Sequence, residues 1–361
     1  MSAKILGLGT ASPPFSLTQE RALELAKIYA GEKSKPRVLD ALYRHSGIQT
    51  RGSVLAAESA DAGLPAYSQP RDALDAGPHT GVRMKIFEQH APLLAAEACR
   101  KALDDAHVKP AAITHLVLAS CSGFFAPGPD IALIKALNLK SSVARLNVGF
   151  MGCHGAFNAL HAASALVRER SDARVLVCAV ELCSLHMQYG AQLDDLMANA
   201  LFSDGAAAAV VGPAEANGAA QAVLNAFGSQ LIPDSEDAMS WRIGAHGFRM
   251  TLSARVPALI QEHLRGWLDH WLAQHELKLD QIKGWIVHPG GPRILDAVER
   301  ALDLPPDALH YSREILAQHG NMSSPTVLFI LKKWSASERL PSPCVMLGFG
   351  PGLVAEAALL K

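Results

Sequence analysis

The stretch Asn147-Val148-Gly149-Phe150-Met151-Gly152-Cys153-His154-Gly155-Ala156-Phe157-Asn158-Ala159-Leu160 sets a cysteine between glycines just where a helical pattern begins. Apolar residues at Phe157, Leu160, Ala163 and Val167 recur at helical spacing, which predicts a buried helix with Cys153 at or just before its first turn. A sulfur there meets unpaired backbone N–H groups and the positive end of the helix dipole. Both favour the thiolate, the form that attacks carbonyl carbon. Taken alone, a free cysteine is more often a small core residue, so the reading depends on what accompanies it.

Two further segments present polar side chains at the ends of elements. Gly284-Trp-Ile-Val-His288-Pro-Gly-Gly-Pro292 reads as a short apolar strand ending on a histidine, then a glycine turn into a helical pattern from Ile294 to Leu302. His319-Gly-Asn321-Met-Ser-Ser-Pro325 reads as a small-residue turn entering an apolar helix, Val327 to Trp334. The layout repeats. A strand from His115 to Ser120 ends at Cys121, and Cys153 opens its helix 32 positions later; His288 ends its strand, and Asn321 opens a helix 33 positions later. Each half then closes on an apolar strand, Ala206 to Val211 after Asp204-Gly205, and Leu353 to Leu359 after Gly348-Phe-Gly-Pro-Gly352. Two copies of one α/β unit packed face to face would bring Cys153, His288 and Asn321 to a shared site. The expected halves are residues 1–230, carrying the cysteine, and 231–361, carrying the histidine and asparagine.

Bulk composition fits an enzyme with an ample core. The chain has 361 residues, 49% of them hydrophobic, and a net charge of −1 from 33 basic and 34 acidic residues, so nothing recommends nucleic acid or an acidic membrane surface as partner. Six cysteines (99, 121, 153, 178, 183 and 344) form no C-x-x-C pair, which argues for reduced thiols, against zinc or any other metal, and for the cytoplasm. The opening residues lack a leader pattern, and no apolar run approaches the length of a membrane span.

A pass along the chain gives strands alternating with helices. A strand near Lys4 to Leu8 precedes a helix that Ser16 would cap, with Gln19 completing a capping box. Arg51 to Gly81, with Pro65, Pro70 and Pro78, reads as an excursion or lid. A long helix to about Ala106 follows, then the strand at 115–120, a helix at 130–137, the Cys153 helix and a strand from Arg174 to Val180. Ile232 to Gly247 reads as an irregular connection, followed by a strand near Phe248 to Thr251 and an amphipathic helix from Val256 to His275.

Four motifs in this order and at these separations, Gly149-Phe-Met-Gly-Cys153, Val287-His-Pro-Gly-Gly-Pro292, Gly320-Asn-Met-Ser-Ser324 and Gly348-Phe-Gly-Pro-Gly352, resemble the type III polyketide synthases, the chalcone synthase family of thiolase-fold enzymes. The resemblance extends from Gly7-Leu-Gly-Thr-Ala-Ser-Pro13 through Ala200-Leu-Phe-Ser-Asp-Gly205 to the C-terminus. It implies a five-layered α-β-α-β-α fold built from two duplicated halves, a homodimer, and a triad of Cys153, His288 and Asn321. It implies acyl transfer from an acyl-CoA starter to Cys153, helped by a neighbouring His288 imidazolium, and then decarboxylative condensation of malonyl-CoA. His288 and Asn321 would hold the enolate oxygen. CoA thioesters are substrates in this scheme, and no cofactor is called for.

The same resemblance places Phe202 at an aromatic gate and Met250 at a second gate position that is aromatic in the plant enzymes. Cys121, Cys183 and His186 stand at cavity positions held there by threonines, and Ala126 replaces a bulky residue that reaches across the dimer. Ser323 sits beside the asparagine, and Gly350, Pro351 and Gly352 shape the floor. Arg44, Arg51 and Arg293 are candidate CoA phosphate contacts by position. An opened cavity with a soft Met250 leads to the expectation of a fatty acyl starter and an alkylpyrone or alkylresorcinol product. Alternatives are a chalcone- or stilbene-like synthase with an aromatic starter, a ketoacyl-ACP synthase making one condensation, a papain-like protease with its Cys, His, Asn order, and a non-catalytic acyl binder.

Overall fold

The computed structural model describes residues 2–31, 35–56, 67–72, 74–214 and 222–361. The first half runs β1 (Ala3–Ala11), β2 (Ser16–Thr18), α1 (Gln19–Ala30), α2 (Pro36–Arg44), β3 (Thr50–Gly52), α3 (Thr80–Asp105), β4 (His115–Ser120), α4 (Pro129–Ala136), β5 (Ala144–Gly149), α5 (Gly155–Glu169), β6 (Val175–Leu182), α6 (Leu193–Leu201) and β7 (Asp204–Pro213). The second runs β8 (Ala222–Leu231), β9 (Met239–Gly244), β10 (Gly247–Leu252), α7 (Val256–Ala273), β11 (Gly284–Val287), α8 (Pro292–Leu302), α9 (His310–His319), α10 (Thr326–Ser337), β12 (Cys344–Gly350) and β13 (Val354–Leu360).

The duplication expected from spacing is visible in strand order. Nine strands hydrogen-bond in the order β11-β12-β13-β8-β1-β7-β6-β4-β5. Reading outward from the β8–β1 junction, each half gives an antiparallel neighbour, a second antiparallel neighbour, then a parallel one: β13, β12, β11 on one side and β7, β6, β4 on the other. Strand β5 has no counterpart and forms the outer edge. Strand β8 bonds β13 along most of its length but meets β1 at only three residue pairs, Ala3 to Ile5 against Ala222 to Leu224.

Side-chain alternation along the strands builds the layers. On β4, Val117 and Ala119 enter a central cluster with α5 and α10, while Leu116 and Leu118 enter an outer cluster under α3. On β12, Cys344 and Met346 face the same centre, whereas Val345, Leu347 and Phe349 pack under α7 and α8. Strands buried on both faces read as continuous apolar runs. The result is helix, sheet, helix, sheet, helix, with α5 and α10 as the shared middle layer. Helix α10 buries every residue from Thr326 to Leu331, as a helix enclosed by two sheets must.

Several local expectations change. Thr18, not Ser16, caps α1 by accepting from the Arg21 amide, and Ser16 lies in the short strand β2. The segment expected to be irregular after Ile232 contains β9, which forms a hairpin with β10 and pairs Trp241 with Met250. Its Arg- and Ser-containing sequence hides the strand because one face of the hairpin is solvated. Of the expected lid, residues 57–66 and 73 lie outside the described residues; its start is β3, paired to β2. Helix α3 continues through Pro92. In the Gly348-Phe-Gly-Pro-Gly352 turn, Gly348 to Gly350 still belong to β12.

Phe157 is fully buried in the central layer and lies against Gly348, where a Cβ would stand 2.7 Å from its ring. Phe157→Ala is therefore expected to destabilise the chain by about 3–5 kcal/mol, read as a lowered urea midpoint with unchanged slope.

Candidate active site

Cys153 lies in a single 3-10 turn, Gly152–His154, that leads straight into α5. The chain reaches it through two left-handed residues, Phe150 at φ 57° and Gly152 at φ 69°. A side chain at Gly152 is excluded twice, by that φ and by Pro351, whose Cδ would lie 2.4 Å from the added Cβ. The Gly350-Pro351-Gly352 turn thus packs against the turn that carries Cys153.

Asn321 arrives on the second half's equivalent turn. Its backbone bridges Phe202, with Asn321 N donating to Leu201 O (2.9 Å) and Ser203 N donating to Asn321 O (2.9 Å). Its Oδ1 accepts from Ser323 N at 2.8 Å, and Ser323 takes φ 59° to close that turn. That leaves Nδ2 as the donor, toward Gly290 O at 3.3 Å. The Asn321 amide and the Ser323 hydroxyl both bear electrostatically on the Cys153 sulfur, favouring its charged form. His288 follows the last residue of β11, its amide donating to Leu347 O (2.8 Å) and its carbonyl accepting from Gly290 N (3.1 Å). Its ring is 1% exposed, with both nitrogens free of hydrogen bonds. Asn321 therefore bonds the turn that carries His288 and lies where its amide bears on the Cys153 sulfur.

Burial is the largest influence on the ionisable groups of this pocket. The loss of solvation pushes the Cys153 thiol up to about 11; the Ser323 hydroxyl, the Asn321 amide and its own N–H pull against this, and the Glu181 carboxylate adds to it. Burial, with a smaller contribution from His154, holds His288 down to about 3. Cys153 is only 6% exposed, so little water reaches the sulfur to solvate a charge.

Glu181 was not anticipated. It sits within an apolar strand, β6, and only the tertiary structure reveals its donors: Cys121 N at 3.0 and 3.1 Å, Cys121 Sγ at 3.3 Å, Ser122 Oγ at 2.6 Å and Ser324 Oγ at 2.8 Å. Burial raises its pKa despite them. Cys121 thus belongs to a carboxylate network and lies 3.6 Å from Ser323 Oγ.

Phe202, Met250, Cys183 and His186 share one cavity with Trp241 and Phe248. Trp241, missed because its segment was read as irregular, donates Nε1 to Cys121 O at 2.8 Å and lies 6.0 Å from the Phe202 ring. It supplies the second aromatic wall where Met250 does not. His186 stacks on Phe248 at 4.2 Å; its Nδ1 accepts from Phe248 N, so its Nε2–H donates to Ser122 O. Burial holds it neutral, down to about 3. Ala126 stays exposed on the loop after β4 and does not line this cavity.

Of the three arginines, Arg51 is excluded as a phosphate contact. It is buried and spends its guanidinium on the carbonyls of Asn199 (2.7 Å), Phe202 (3.1 Å) and Ala200 (2.7 Å). Arg293 lines a groove of about 500 Å³ between α2, α6 and the Gly290-Gly291-Pro292 turn, together with Arg37 and His45. Arg44 is exposed at the end of α2 and is not among the groove's residues.

The family model for the N-terminal domain of chalcone and stilbene synthases matches residues 1–215, and that for their C-terminal domain matches residues 223–361. The chain belongs to the chalcone and stilbene synthase family. It is 37% identical to a 1,3,6,8-tetrahydroxynaphthalene synthase of Streptomyces peucetius subsp. caesius over 99% of this chain and 92% of that protein. It is 32% identical to the alpha-pyrone synthesis polyketide synthase-like Pks18 of Mycobacterium tuberculosis, over 99% and 90%. Among solved structures, PKS-I from the brown alga Ectocarpus siliculosus superposes with a TM-score of 0.91 at 31% identity, covering 100% of this chain and 98% of that one. The C-terminal type III polyketide synthase domain of Steely1 from Dictyostelium gives 0.90 at 26% identity, covering 100% and 99%. The protein is thus a type III polyketide synthase, a CoA-dependent acyltransferase of thiolase-like fold.

Because the thiol pKa is raised, the neutral form dominates at neutral pH and the thiolate fraction grows about tenfold per pH unit below the midpoint. Iodoacetamide labelling of Cys153, followed by mass spectrometry, is expected to accelerate from about pH 7 to pH 10 without levelling. A plateau near neutrality contradicts this. Glu181→Gln removes a nearby negative charge and should speed labelling at fixed pH.

Proposed function

We propose that Cys153, His288 and Asn321 carry decarboxylative condensation in this polyketide synthase; the observation that carries the reading is the Asn321 carboxamide, which bonds the His288 turn at Gly290 O and bears electrostatically on the Cys153 sulfur. Neutral His288 accepts the Cys153 proton as the sulfur attacks the starter thioester, and returns it to the departing CoA thiol. Malonyl-CoA then loses CO₂, and the enolate oxygen is held by the His288 N–H and Asn321 Nδ2–H. Its carbon attacks the Cys153 thioester and displaces the sulfur, lengthening the chain by two carbons. The CoA arm enters along the groove of Arg37, His45 and Arg293. CoA thioesters being substrates, the scheme uses no separate cofactor, and six free thiols fit a cytoplasmic setting. Among the described residues no helix is long and apolar enough to cross a membrane.

For the starter, an apolar seam favours a fatty acyl group closing to an alkylpyrone or alkylresorcinol: the cavity continues past Phe202 to Leu17, Ala22, Leu25 and Leu55. Likeness to an alpha-pyrone synthesis protein supports this. A second reading has malonyl-CoA as its own starter, giving an aromatic product like that of the tetrahydroxynaphthalene synthase. It is favoured by the aromatic walls of Trp241 and Phe202, which narrow the cavity. On the first reading Trp241 must swing aside.

The dimer is inferred from the sheet's outer edge. Strand β5 is exposed at nearly every residue, and Phe124, Leu146, Phe150 and Met151 beside it are 37–46% exposed. An open apolar edge of this kind calls for a partner, and antiparallel pairing with a second β5 satisfies both the edge and the patch.

Three measurements test these statements. Asn321→Ala is expected to lower kcat by about 10²–10³, while malonyl-CoA with a panel of starters, read by product mass, separates the readings. Turnover of fatty acyl-CoA supports the first; product from malonyl-CoA alone, or only from aromatic starters, removes it. Trp241→Gly should extend the panel to longer chains. Leu146→Asp should halve the mass seen by light scattering, and a monomeric parent protein would contradict the dimer.

A further inference from the structure

Residues Gln49, Thr50 and Arg51 bond the ends of two helices that come from different halves of the chain. Helix α6 ends at Leu201 and α9 at His319, and the last carbonyls of a helix find no partner within it. At α9, Gln49 N donates to Ala317 O at 2.8 Å and Thr50 Oγ1 donates to Gln318 O at 2.6 Å. At α6, the buried Arg51 guanidinium donates to Asn199 O and Ala200 O at 2.7 Å each and to Phe202 O at 3.1 Å. A cation with several donors in a fixed fork suits a helix C-terminus, where free carbonyls and the negative end of the dipole coincide. Gln19 orients the fork by accepting from Nη2, and the Tyr43 ring covers it with its centroid 5.5 Å from Cζ.

Each helix end delivers one member of a bridged pair. Phe202 directly follows α6, Asn321 stands two positions beyond α9, and the two form an isolated parallel bridge through Asn321 N to Leu201 O and Ser203 N to Asn321 O. Asn199 O and Ala200 O each have a second donor, Tyr43 Oη and Gln19 Nε2, both at 3.2 Å. Phe202 O has none besides Arg51 among the described residues. Loss of the guanidinium therefore frees the carbonyl that sits in the bridge. We propose that Arg51 is a positioning residue: with Gln49 and Thr50 it clamps the ends of α6 and α9 and so fixes the Phe202–Asn321 bridge, which holds the Asn321 amide in place at Cys153. The inference rests on the condensation reading given above, in which that amide holds the enolate oxygen. Arg51 lies outside the groove of Arg37, His45 and Arg293, and where it borders the cavity both terminal nitrogens are committed to oxygen acceptors. Its effect on the reaction thus passes through the bridge.

The test is a double-mutant cycle between Arg51→Met and Asn321→Ala in the full-length protein, read in kcat for condensation of malonyl-CoA. Arg51→Met alone is expected to lower kcat about 10- to 10²-fold, with the KM for malonyl-CoA close to the parent's, and Arg51→Lys, a point donor in place of a fork, to lower it less. In the double variant kcat should fall no further than in Asn321→Ala, since an amide that is absent cannot be misplaced. An equal loss in both backgrounds marks a purely structural role and overturns the proposal, as does a raised KM at unchanged kcat. Should Arg51→Met fail to fold, Arg51→Lys completes the same cycle. Hydrogen exchange reads the clamp without catalysis: the Asn321 and Ser203 amides should exchange about tenfold faster in the Arg51 variant, and unchanged protection overturns the clamp. Faster exchange combined with full condensing activity in Asn321→Ala leaves the clamp standing and refutes the condensation reading.

Discussion

The site depends on close packing between the end of β12 and the turn at the head of α5, with glycine providing the clearance at each contact. Gly348 admits the Phe157 ring, Gly350 admits the His154 ring, and Gly152 admits Pro351. These contacts join an element of the first half to an element of the second. They hold the nucleophile against the strand whose neighbour carries His288. Larger residues at the three positions would separate the halves at the one place where their side chains must meet.

Duplication gives this junction its economy. Each half ends a parallel strand near the centre and begins a buried helix there, and the two helices share one layer. Cys153 and Asn321 are equivalent points of the two copies, and the copies have diverged in chemistry while keeping geometry. Both turns are reached through backbone that only a few residues adopt: Gly152 in one, Gly320 and Ser323 in the other. The cost of those conformations is offset by the packing on both sides.

Enclosure sets the protonation states. A sulfur, two imidazoles and a carboxylate sit within a pocket from which water is largely excluded, and desolvation is the largest influence on each of them. Buried ring nitrogens without partners are rare in folded proteins, and His288 presents two of them.

The helix behind Cys153, the strand before His288 and the turn at Asn321 were legible in the sequence, because apolar periodicity and glycine placement report local conformation directly. So was the repeat, since spacing survives where side chains diverge. Glu181 was not legible, because a carboxylate inside an apolar strand makes sense only once Ser122, Ser324 and the Cys121 amide are seen to converge on it. Trp241 was hidden by a half-solvated hairpin, and Arg51 passed for a phosphate contact because nothing local shows that three backbone carbonyls await it. Sequence alone determined which chemical groups the chain presents and on which local elements, since these follow from residues near one another along the chain. Tertiary structure alone decided which groups share a dry pocket, and hence their charge, because solvation and long-range hydrogen bonds are set by residues one hundred or more positions away.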